Sequence, residues 1–185
     1  MINRRLHKIQ DTPENPSIVK DPNISTIVST FQINLLGADV GEGSIQNGYR
    51  HALWQAIISS ELGEKTALAA GNAHESEFFS PDIFNTSYKA LGAADEVADQ
   101  LNNAIGRDIA TKNPKLTNIE YAKEVLKTFH ERGLYQVTKN NQTFNVTYKV
   151  LNEPNYNKAM GNFSSMNLDQ TGAGLIMQQV RSKLK

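Results

Sequence analysis

Apolar side chains recur along most of this chain at the three- and four-residue spacing of an amphipathic helix, and the pattern breaks in only a few places. "ISTIVSTFQINLL", residues 24 to 36, combines β-branched residues that suit a strand with the helical spacing Ile27, Phe31, Leu35, and the spacing favours a helix. From Ser44 to about Glu61 the pattern is helical, with Ser44 as N-cap and Gly63 as stop. A second such run extends from about Glu64 to Glu77, and Pro81 keeps it from going much further. "FFSPDIFNTSYKALG", residues 78 to 92, reads as a loop. Another helix is expected over about Ala93 to Thr111, ending before Pro114. The next opens on Thr117 as cap and stops at Gly133.

Beyond Gly133 the period changes. "LYQVTKNNQTFNVTYKV" alternates as two short strands joined around Asn140 and Asn141. An Asn-, Gly- and Ser-rich stretch from Asn152 then leads into a last expected helix, about Leu168 to Leu184, while the proline-bearing residues 1 to 23 read as an irregular lead-in. The expectation is therefore a mainly α fold, a helical bundle of about five helices with one small β-hairpin, in a single domain over 24–185. The chemistry is expected in the helical region 44–112.

Composition narrows this picture. With 185 residues the chain suits one ordinary core, and 39% hydrophobic with 21% charged residues lies outside the disordered class. Lys plus Arg balance Asp plus Glu at 19 each, so no whole-chain field steers it toward nucleic acid or an anionic membrane. The absence of cysteine excludes disulfides, thiolate metal sites and a cysteine nucleophile. The N-terminus has a basic start without a following apolar run, unlike a secretory signal peptide, and no segment approaches the roughly 20 apolar residues of a membrane span.

Two histidines stand out because they interrupt apolar helices. On the helix from Ser44, the residues Tyr49, Leu53, Trp54, Ala56, Ile57 and Ile58 cover most of the circumference. They leave a narrow polar strip of Ser44, His51, Gln55 and Ser59. A polar strip on a buried helix must find partners, because an unpaired buried polar group costs roughly 1–3 kcal/mol. His74 shares its face with Ala67, Ala70, Gly71 and Phe78, small residues among them that let another helix come close. Glu75 lies about 100° round from it.

On the helix from Ala93, the apolar side is Ala94, Ala98, Leu101, Ile105 and Ile109. Asp95, Asp99, Asn102 and Gly106 fall in a stripe roughly 60° wide at its edge. Two carboxylates one turn apart repel, and a cation or histidine relieves that strain. His51, His74, Asp95 and Asp99 are thus the candidate metal ligands, for zinc, manganese or iron, with Glu75 beside them; no organic cofactor is implied. Without a metal, a histidine oriented by a carboxylate is a general base, and either route leads to a hydrolase. Taken singly, Asp95 and Asp99 read as a solvated face, Arg107 as the partner of a nearby acid and Trp54 as core. His130 suits the end of its helix by charge, and His7 carries no signal.

"NGYRHALW", "GNAHE" and "DQLNNAIGR" resemble, in order and approximate spacing, the pattern R-H-x-x-W, A-H-E, N-N-x-x-G-R. That pattern marks an uncharacterised domain at the variable C-terminal ends of bacterial Rhs-type and wall-associated polymorphic toxins. The resemblance covers about residues 44 to 110 and falls on Arg50, His51, Trp54, His74, Glu75, Asn102, Asn103, Gly106 and Arg107. It implies an antibacterial toxin tip carried by a parent Rhs-type delivery polypeptide, exported by a type VI secretion machine into a target cell and neutralised by a cognate immunity protein. It supplies no reaction. A second likeness is to the HD-type phosphohydrolases, although His74-Glu75 stands where those carry a His-Asp pair.

The expectation that follows is a metal-dependent hydrolase of a phosphoester-containing substrate, whether nucleotide, nucleic acid or phospholipid. In it Glu75, Arg107, Asn102, Asn103 and Arg50 serve catalysis and Arg107 neutralises an anionic group. The alternatives are a metal-free His/carboxylate hydrolase of the cell envelope and a non-enzymatic tip that binds or permeabilises its target.

Overall fold

A computed structural model of the protein describes residues 24–37, 41–75 and 86–168. Helix α1 spans Ile24–Leu36, α2 Ile45–Leu62 and α3 Glu64–Glu75. The two-residue strand β1 is Ser87–Tyr88, followed by α4 over Leu91–Lys112 and α5 over Asn118–Glu131. Strands β2, Leu134–Asn140, and β3, Thr143–Lys149, come next, and α6 is Glu153–Asn162. The expected lead-in 1–23 and the expected last helix beyond Leu168 lie outside the described residues.

The local signals that fix helix ends act as the sequence suggests. Ser44 caps α2 by accepting from the Asn47 amide, and Gly63 ends it at a φ of 87°, a left-handed conformation that costs glycine nothing. Thr117 and Glu120 form a reciprocal capping box at the start of α5. Two elements depart from expectation. α6 forms in the Asn-rich stretch expected to be irregular, because Asn152 caps it and Pro154 stands in its first turn. β1 forms in the segment expected to be a loop. It makes the sheet three-stranded and antiparallel in the order β1-β3-β2, with Tyr88 opposite Phe144.

Among the described residues there are thus six helices and a small sheet rather than about five helices and a hairpin. The hairpin itself is regular from Leu134 opposite Lys149 to Asn140 opposite Thr143, and Asn141 makes its turn at a φ of 52°. Phe31, Tyr49, Leu53, Ile57, Tyr121, Leu126 and Phe129 centre the main core, shared by α1, α2, α5 and α6. A smaller cluster, Tyr88, Ala94 and Val97 with Val137, Phe144 and Val146 against it, joins α4 to the sheet. Among the described residues no helix is long and apolar enough to cross a membrane.

Candidate functional site

Among the described residues the most extensive helix contact, α2 against α4, is made largely by polar side chains. Asn47 Nδ2 donates to both carboxylate oxygens of Asp99, at 3.1 and 3.2 Å. His51 Nδ1 lies 3.2 Å from Asn103 Oδ1, and Arg107 Nη1 donates to Gln55 Oε1 at 3.0 Å. In the turn before α2, the Gly43 amide donates to Asp95 Oδ1. Each of these pairs is separated by 52 residues, and from one to the next both partners advance by four. The two helices therefore run in the same direction, and every turn of one meets a turn of the other in register.

His51 ties two rungs of this ladder together, since its Nε2 is 3.1 Å from Asp99 Oδ2. Both ring nitrogens thus point at oxygens of α4 side chains. His51 and Asp99 are only 4% and 5% exposed, so their interaction operates away from bulk water, where it is electrostatically stronger. Arg50 donates to Asn47 Oδ1, which leaves the Asn47 amide group turned to Asp99. Trp54 packs edge-on to the imidazole with ring centroids 6.4 Å apart, and it is buried as expected.

Small residues make this approach possible. A Cβ on Gly106 would stand 2.1 Å from the Ala52 carbonyl oxygen, so at this turn the two backbones touch. A Cβ on Gly48 would stand 2.7 Å from both Asn102 Nδ2 and the Tyr135 carbonyl oxygen. Asn102 accordingly turns from His51 to the sheet. Its Nδ2 donates to Tyr135 O at 2.9 Å and its Oδ1 accepts from Tyr135 N at 3.0 Å, the pairing a neighbouring strand would make. On α3, Ala67, Ala70 and Gly71 are buried, as the small-residue face implied.

The expected site residues are distributed unevenly. His51, Asp99 and Asn103 meet directly; Arg50 joins through Asn47 and Arg107 through Gln55. Asp95 stays one turn away, where burial pushes its carboxyl up to about 6 against the lowering pull of the Gly43 amide. Glu42 raises it further, and Arg50 and Asn47 lower it. The strain between Asp95 and Asp99 is thus relieved by separate donors. His74 and Glu75 lie in the last turn of α3, and their side chains are outside the described residues. Among the described residues no three His, Asp or Glu side chains are grouped to hold a metal ion.

Several single-residue readings change. Asp99 is a buried anchor rather than part of a solvated face, and Asp99, Asn102 and Asn103 are buried more deeply than the apolar Leu101 and Ile105 beside them. Arg107 bonds a carboxamide, with Glu64 as its charged neighbour and burial lowering its pKa. His130 places Nδ1 2.8 Å from Leu151 O and stacks on Tyr156, a structural role at the end of α5. Sequence reasoning missed Asn47. The signal was present, since Asn47, His51 and Gln55 follow at four-residue spacing on one helix.

A family profile described as a domain of unknown function, DUF6973, matches residues 23–133, more than half of the chain, and takes in every rung of the ladder. No curated protein and no solved structure matches the chain.

Proposed function

The chain belongs to the family described as domain of unknown function DUF6973, and from the chemistry of its ladder we propose that it is a hydrolytic effector domain in which Asp99 orients His51 as the acid–base group. The observation that carries this reading is the 3.1 Å contact between two almost fully buried side chains, His51 Nε2 and Asp99 Oδ2. A buried polar pair is rarely more stable than apolar residues of the same volume. A helix contact built from an imidazole, a carboxylate, three carboxamides and a guanidinium departs from the cheapest packing, and such departures concentrate at functional sites. Arg107, half-buried at the end of the ladder, suits an anionic group and so favours a phosphoester-containing substrate. The antibacterial role, delivery by a larger polypeptide into a target cell and neutralisation by an immunity protein rest on the motif resemblance over residues 44 to 110.

Asp99 at His51 Nε2 supplies the orienting carboxylate that the acid–base reading calls for, and proton exchange with a substrate would use Nδ1, which here faces Asn103 Oδ1. The metal-assisted form of the same hydrolysis is the second reading. It draws on the partly buried carboxyl of Asp95 one turn from Asp99, and it would use His51, His74, Asp95 or Asp99 as ligands with Glu75 alongside. Expression in bacteria with and without an export signal, with analysis of lipids and nucleic acids, tests the function. Folded His51→Gln and Asp99→Asn variants should lose about 100- to 10,000-fold in activity. Full toxicity in both folded variants would sink the hydrolase reading. Activity that survives a chelator would remove the metal-assisted form.

A further inference from the structure

The acid–base reading accounts for His51 and Asp99 but leaves the far side of Asn103 without a role. Asn103 turns Oδ1 toward His51, so its Nδ2 faces the opposite way, toward α3. There it meets Gln55, which is fully buried, gives Oε1 to Arg107 and has no acceptor for Nε2 among the described residues. The two amide nitrogens converge on one glycine: a Cβ at Gly71 would lie 3.0 Å from Gln55 Nε2 and 3.3 Å from Asn103 Nδ2. A side chain at position 71 would crowd both groups, so the two carboxamides pack directly against the bare backbone of Gly71. Beside them the half-buried Arg107 has a neutral carboxamide as its hydrogen-bond partner.

We propose that Gln55 Nε2 and Asn103 Nδ2, which meet at Gly71, and the Arg107 guanidinium, held at the other end of the Gln55 carboxamide, form a binding site for one oxyanion of the substrate, a phosphoryl or carboxylate oxygen. The donors are complementary to an oxyanion, which would compete with Glu64 for Arg107. Two carboxamide N–H donors and a cation face a region with no described acceptor for the Gln55 donor, and buried donors of that kind seek an acceptor. Partial desolvation of Arg107, which lowers its pKa, also strengthens its attraction for an anion. Asn103 would then join the oxyanion to the acid–base pair, touching His51 with its carbonyl and the ligand with its amide. The site deepens the hydrolase reading and rests on it for its role in turnover, whereas its existence rests on binding alone.

The test is a titration of the intact protein with inorganic phosphate, and separately with acetate, at constant ionic strength, following side-chain amide signals by NMR. The Gln55 and Asn103 amide signals should move together and saturate, and Arg107→Gln should weaken that binding about tenfold or more. Gly71→Ala should weaken it as well by placing a methyl against both donors; should that variant fail to fold, Arg107→Gln decides alone. Saturation by phosphate only assigns a phosphoryl group, and saturation by acetate only assigns a carboxylate. Amide signals that neither anion moves, or saturation unchanged in Arg107→Gln, would overturn the site. Because no turnover is measured, an inactive protein that binds phosphate defeats the hydrolase reading and leaves the site standing.

Discussion

Helix α2 is buried on two faces that solve the same packing problem with opposite chemistry. Toward α1 and α5 it presents Tyr49, Leu53 and Ile57, and the polar group on that side, the Tyr49 hydroxyl, donates to the Ala122 carbonyl at 2.9 Å. Toward α4 it presents Asn47, His51 and Gln55, each matched to a side chain one helix away. The apolar face tolerates imprecision, because dispersion and water exclusion have no direction. The polar face tolerates little: a group displaced from its partner keeps its desolvation cost and loses its hydrogen bond. The difference teaches that α4 is held in one register by chemistry, while α1 and α5 are held mainly by volume.

Removing one side chain from each face gives the sharpest comparison. Asp99→Ala should destabilise by about 4 kcal/mol, since it strands His51 and Asn47 without their acceptor. Leu53→Ala should cost about 3 kcal/mol through the cavity it leaves. Urea denaturation of the two variants would show it, and a smaller loss from Asp99→Ala than from Leu53→Ala would mean that the ladder is not the tighter contact.

Gly106→Ala tests the backbone approach that sets the register. Its Cβ would meet the Ala52 carbonyl oxygen at 2.1 Å, and neither backbone can yield without parting the helices. The gain in helix propensity is about 1 kcal/mol, and the net loss should still reach about 2–3 kcal/mol. Asn102→Ala comes next at about 2 kcal/mol, because it leaves the Tyr135 amide and carbonyl without the side chain that pairs with them. Hydrogen exchange at Tyr135 would accelerate if that pairing holds β2 in place.

The smallest effect runs the other way. Asp95 has its carboxyl raised from 3.8 to about 6. Its folded form therefore binds a proton more readily than its unfolded form, and the stabilisation is full below the unfolded pKa and lost as pH rises from about 4 through 6. Near pH 7 the ionised group is a burden, so Asp95→Asn, which can still accept from Gly43, should stabilise by about 1 kcal/mol after solvent screening. Thermal unfolding at pH 4 and pH 7 checks this, and a stabilisation that does not shrink at the lower pH would contradict the assigned direction.

Much of this architecture is legible residue by residue. Ser44, Gly63 and Thr117 mark helix ends by bonds within a turn or two, so their effect survives without knowledge of the fold. The polar strip containing His51 and the stripe containing Asp99 and Asn102 are likewise visible, because helical periodicity is a local property. The β1 strand was hidden, since two residues carry no period and Ser87 and Tyr88 become a strand only where β3 offers its edge. Asn47 shares the four-residue spacing of His51 and Gln55, but that its partner is Asp99 was hidden, because the acceptor lies 52 residues away.

The sequence by itself thus determined where α1 to α5 lie and which polar residues share a face, through contacts three or four residues apart. Only the tertiary structure decided that α2 and α4 run parallel, that their rungs pair across 52 residues, and that Gly106 brings the backbones into contact. Nothing local encodes such pairing. It follows from close packing and from the cost of leaving buried donors and acceptors without partners, and the whole fold must meet both at once.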